Sequence, residues 1–160
     1  MKQILFCLLI FHSLSARSQD SLLQSRIKNL QGKIFPYSSI VQKDSLILIC
    51  FWSLNSEESI SELNYINANL QNWQSVKPFR FMAVSVDEGK TANRMRPVYN
   101  MNGWTFDAYV DLYGDLRRSL HSNNLPQSYI LYRNQKIYEQ SGWTEGSENY
   151  LFHRLTAVKN

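Results

Sequence analysis

The sequence predicts an α/β fold with one mixed central sheet flanked by helices. Three observations carry that prediction. Leu46, Ile47, Leu48, Ile49, Cys50, Phe51 and Trp52 form an unbroken apolar run. A run this short, without alternation and rich in β-branched and aromatic types, suits a strand covered on both faces. Ile60, Leu63, Ile66, Leu70 and Trp73 follow at spacings of three and four, which is one helix face. Beyond them, strands and helices alternate first and a hairpin comes last, which gives a sheet with both parallel and antiparallel neighbours.

Residues 1–18 read as a secretory signal. Lys2 supplies a positive start, Ile4 to Leu14 an apolar core, and Ala16-Arg17-Ser18 a small-x-small cleavage pattern. The apolar run is too short for a stable membrane span, so the mature form is expected to have none. A retained N-terminal anchor is the alternative. Residues 19–30 are polar, and Leu22, Leu23, Ile27 and Leu30 allow a short helix or a tether. Residues 31–160 form the single domain that a chain of 160 residues accommodates.

Within that domain Pro36 closes the stretch Gln31 to Pro36 and ends strand pairing there. The central strand leads into Ser53 to Glu58, where Asn55 is the expected N-cap with Glu58 three residues on, as in a capping box. The helix is expected to end near Gln74, ahead of Pro78. Phe79 to Val86 reads as a second strand, and Asp87-Glu88-Gly89 as a solvated loop. Thr91 to Tyr99 reads as a helix that Pro97 disturbs. Asn102-Gly103 marks a turn, and Trp104 to Val110 an aromatic cluster at the core. Leu112 to His121 is read as a helix. Leu125 to Tyr132 and Ile137 to Gln140 flank a turn as two strands. Glu148 to Val158 closes the chain as a helix with Leu151, Phe152 and Leu155 on its apolar face.

Charge and cysteine content narrow the function. The chain has 17 basic and 13 acidic residues. Removing Lys2 and Arg17 leaves 15 against 13, a net +2. That near-neutral balance, without a block of like charges, argues against nucleic acid or an anionic membrane as partner. Of the two cysteines, Cys7 leaves with the signal and Cys50 stays inside the apolar strand. An exported chain with one buried thiol has no internal disulfide and cannot cycle between dithiol and disulfide by itself.

The segment Phe51-Trp52-Ser53-Leu54-Asn55-Ser56-Glu57-Glu58-Ser59-Ile60-Ser61-Glu62-Leu63 resembles the active-site segment of the thioredoxin-like superfamily. It is nearest the periplasmic TlpA/ResA type, which carries Phe-Trp-Ala-x-Trp-Cys-x-x-Cys-x-x-Glu-Leu there. Phe51, Trp52, Glu62 and Leu63 match, and Ser56 and Ser59 stand where the cysteines would be. Gly32 to Pro36 is similar to the Gly-Lys-x-Phe-Pro stretch of that group. Leu125-Pro126 is similar to its Val/Ile-Pro strand start, whose proline is cis. The resemblance covers about residues 31 to 158. It implies a thioredoxin-like fold with an N-terminal extension and a degenerate redox site at Ser56, Glu57, Glu58 and Ser59. It also implies a groove lined by Trp52, Asn55, Leu125 and Pro126, in which the backbone beside the proline pairs with an extended segment. That pairing needs no cysteine. Pro126 equally has a purely structural role to fill, and the sequence does not separate the two.

Other chemistry finds no support. A serine hydroxyl is far too weak an acid for one helix end to ionise, whereas a thiol there becomes a thiolate. Ser56 or Ser59 as nucleophile needs a base and an orienting group, and His121 and His153 sit in no motif. Glu57 and Glu58 place charge where a helix start favours it. Cys50 is several residues too early for a one-cysteine peroxidase, and stands where many relatives keep a buried aspartate. No catalytic residue, cofactor or metal ligand set is expected. The expectation is an exported, periplasmic or secreted protein without dithiol redox activity that binds a protein or peptide. The alternatives are a redoxin-type oxidoreductase acting with partner cysteines and a structural subunit of an envelope complex.

Overall fold

The computed structural model describes residues 21–159. The signal read at residues 1–18, and Cys7 within it, lie outside the described residues.

Seven strands form one sheet in the order β2-β1-β5-β4-β3-β6-β7. They are β1 Arg26–Asn29, β2 Ile34–Pro36, β3 Leu46–Trp52, β4 Arg80–Ser85, β5 Asp107–Val110, β6 Gln127–Tyr132 and β7 Gln135–Ser141. The helices are α1 Glu57–Val76, α2 Gly89–Ala92, α3 Met95–Met101, α4 Asp115–Leu120 and α5 Ser147–Ala157. β3 runs parallel to β4 and antiparallel to β6, and β4 is parallel to β5. The central strand therefore has the predicted bounds and the predicted mixed environment.

Every residue of β3 is buried. Leu46, Leu48, Cys50 and Trp52 point into one core layer with Leu63, Ile66, Leu70 and Trp73 of α1 and Leu151 and Leu155 of α5. Ile47, Ile49 and Phe51 point into the other, with Tyr37, Leu116, Leu120 and Tyr129. Two covered faces explain the lack of alternation in the sequence. Each fully buried large apolar side chain contributes about 1.5–3 kcal/mol, so this strand and α1 anchor the fold.

Three strands depart from the sequence reading. Residues 21–24 are helical, but Arg26–Asn29 pairs with β2 and β5 and buries Ile27. Within the stretch 19–30, expected as a short helix or tether, the helix is thus confined to residues 21–24 and Arg26–Asn29 is a sheet strand, because pairing with two neighbours outweighs weak local helix propensity. β2 pairs through Pro36 as its last residue. Within Trp104 to Val110, read as an aromatic cluster, the last four residues form β5 beside β4. Pro97 sits in the first turn of α3, where a missing N–H costs nothing. The Leu112 to His121 helix begins only at Asp115. Asp111 accepts the Leu116 and Arg117 amides at 3.2 and 2.7 Å and caps it.

Candidate functional site

β3 ends at Trp52, and the chain turns through Ser53, Leu54 and Asn55 into α1. The N-cap is Ser56, one residue later than the sequence suggested. Its hydroxyl oxygen accepts the Ser59 amide at 3.1 Å. No capping box forms through Asn55 and Glu58. Instead the Asn55 amide donates to Ser53 Oγ at 3.2 Å, which tightens the turn before the cap. Glu57 and Glu58 lie exposed in the first turn, where the helix dipole favours negative charge.

Asp87 holds this turn from the next strand. Its Oδ1 accepts the Ser53 hydroxyl at 2.8 Å, and its Oδ2 accepts the Leu54 amide at 2.9 Å and the Ser85 hydroxyl at 2.8 Å. It is only 7% exposed, so the expected solvated loop is corrected at Asp87, while Glu88 and Gly89 are exposed as expected. A carboxylate with three donors is satisfied in a buried place. Its only trace in the residue order is an acid at the end of a strand beside the central one.

The Leu125-Pro126 peptide bond is cis. Phe51 pairs with Gln127 in the β3–β6 ladder, so this bond lies at the same sheet end as Trp52 and the α1 start. The Gly142 amide donates to the Pro126 carbonyl at 2.8 Å and ties down the far side. Leu125 is half-buried, Asn55 is exposed and Pro126 is buried. Trp52 has no exposed surface. Its ring stands edge-on to Trp104 at 5.3 Å. Trp52 is therefore the support beneath the turn and cannot wall a groove.

Ser59 is fully buried and its hydroxyl has no hydrogen-bond partner among the described residues. No hydrogen bond joins Ser56 or Ser59 to His121 or His153 among the described residues. His121 is the left-handed C-cap of α4. Among the described residues, no group of three or more His, Cys, Asp and Glu is placed to hold a metal. No helix among them is long and apolar enough to cross a membrane.

Beneath the turn is a polar cluster that sequence reasoning missed. Glu62, one and a half turns into α1, is 1% exposed. Cys50 Sγ donates to its Oε2 at 3.2 Å and Ser128 Oγ to its Oε1 at 3.0 Å. Burial pushes the Glu62 carboxyl up to about 7; the Cys50 and Ser128 hydrogen bonds oppose that rise and the charge of Glu148 adds to it. Glu148 itself is 2% exposed at the start of α5, where both its oxygens accept the Gly146 amide. The Cys50 thiol is pushed well up, by burial first and by the Glu62 charge second. It is protonated and inaccessible, as the apolar strand implied.

Solved structures share this fold. An uncharacterized thioredoxin-like protein from Porphyromonas gingivalis is 29% identical, with a TM-score of 0.72 over 84% of this chain and 89% of that one. StoA from Bacillus subtilis is 15% identical, with a TM-score of 0.64 over 80% and 94%. Peroxiredoxin Q from Xanthomonas campestris is 14% identical, with a TM-score of 0.69 over 86% and 93%. Neither a family model nor a curated protein sequence matches the chain.

Proposed function

From the premise that this chain belongs to the thioredoxin-like superfamily, we propose that it is an exported binding module that has lost dithiol redox chemistry. It engages a protein or extended peptide of the cell envelope or extracellular space. The observation that carries this reading is the α1 start. Ser56 spends its oxygen on capping the Ser59 amide, and Ser59 is buried behind it. A redox site needs a thiolate at that point with a second thiol in reach. Here the one cysteine of the described residues, Cys50, is shut inside β3.

The binding edge we infer is the sheet end where Asn55 and the Ser56–Ser59 turn meet Leu125 and the cis bond to Pro126. Main-chain hydrogen bonds to an extended segment give affinity at such an edge, and flanking side chains give selectivity. The apolar core of residues 4–14 supports export, with residues 19–160 as the mature chain.

Affinity capture from an envelope extract tests this reading. One bait is the mature chain; the other carries Leu125→Asp with Glu57→Lys and Glu58→Lys. A partner held by the first and released by the second is the expected result. A partner held equally by both moves the interface off this edge.

A further inference from the structure

The Glu62 cluster carries a consequence beyond binding. Cys50 and Ser128 are directly opposed in the β3–β6 ladder. Both donate to one carboxyl that arrives from α1. Glu62 therefore joins the central strand, the neighbouring strand and the helix at one point. Ser128 lies two residues past the cis bond, and Glu62 three residues past Ser59. The three groups that meet there thus lie under both halves of the candidate edge.

A carboxylate can use both donors at once, since it is acceptor-only. A neutral carboxyl has its own proton to place and less acceptor capacity, so the bond at the protonated oxygen weakens or reverses. Charge-assisted bonds are also shorter and about twice as strong as neutral ones. The connection from α1 to β6 thus differs between the two protonation states. The titratable groups that face Glu62 are Cys50 on β3 and Glu148 on α5, with the Ser128 hydroxyl on β6. Burial and the Glu148 charge bring the exchange of states near neutral pH.

We propose that Glu62 is a proton-operated positioning residue, whose ionisation sets the seat of the β6 start, and with it Leu125-Pro126, against the Ser56–Ser59 turn. Its meaning for binding rests on the reading that this edge is the one used. The device itself can be measured on the protein alone, so the two fail separately.

The test is a pH titration of the mature chain from pH 5 to 9 by NMR. It follows the Glu62 side-chain carboxyl carbon and the amides of Gln127, Ser128 and Tyr129. In the wild type the carboxyl and the three amides should share one midpoint near 7. Glu62→Gln should abolish the shared inflection. In Ser128→Ala, which also serves if Glu62→Gln fails to fold, the carboxyl should still titrate while the β6 amides no longer follow it. His121 precedes this loop and supplies the control. His121→Asn, which suits the left-handed backbone there, should leave the shared inflection intact. A carboxyl that titrates in the ordinary range near 4.5 would overturn the proposal. So would β6 amides that ignore the carboxyl, or an inflection kept in Glu62→Gln and lost in His121→Asn.

Discussion

Ser56 and Ser59 are joined by a hydrogen bond from the Ser59 amide to the Ser56 hydroxyl oxygen, 3.1 Å long, that closes the first turn of α1. This bond makes the turn an ordinary helix start. Its removal should act on stability alone. Ser56→Ala is expected to cost about 1 kcal/mol and Ser56→Asp to be nearly neutral. Urea denaturation of the three chains checks both values.

Asp87 has the larger structural part. It meets Ser53, Leu54 and Ser85 at once while almost wholly buried. Asp87→Ala leaves a partly buried amide and two hydroxyls without their acceptor, with an expected cost of about 2–4 kcal/mol. Hydrogen exchange should show the Leu54 amide losing protection before the β3 amides do. Equal loss along β3 would mean that Asp87 supports the sheet and not the turn.

Stability should fall as pH rises from the ordinary carboxyl range to about 7. Glu62 is raised from 4.5 to about 7 in the folded chain. The folded state therefore holds more protons than the unfolded state between those values, and its stability drops across that window and levels off above it. The full effect is about 3 kcal/mol. Urea midpoints at pH 5, 6, 7 and 8 should decline in the wild type and flatten in Glu62→Gln. A flat wild-type profile contradicts the burial argument.

Much of this was legible from residue order. The apolar run gave β3 to the residue, and the three-four spacing gave the buried face of α1, because both signals come from periods that a single chain carries in itself. β1 and β5 were not legible. Each is four residues long, and each exists because a neighbour offers a ladder. Asn55 was read as the cap and Ser56 is the cap, a choice that depends on where the Asp87 bonds end the turn. Glu62 matched a motif position, but its pairing with Cys50 and Ser128 joins residues 12 and 66 apart in sequence. Trp52 was read as a groove wall, and only packing against Trp104 reveals it as support.

The Cys50 thiol gives an independent check on the core. It is buried, protonated and hydrogen-bonded to Glu62. An aromatic disulfide reagent should react with the mature chain at the rate of unfolding, and promptly in denaturing urea. Fast reaction in the native state would show that β3 opens far more readily than its burial allows.

The most direct test of the central claim is an insulin disulfide-reduction assay on the mature chain beside its Ser56→Cys, Ser59→Cys double variant. The variant restores two thiols at a helix start that stabilises a thiolate. No turnover above background is expected for the wild type, and measurable reduction is expected for the double variant. Turnover by the wild-type chain would contradict the claim.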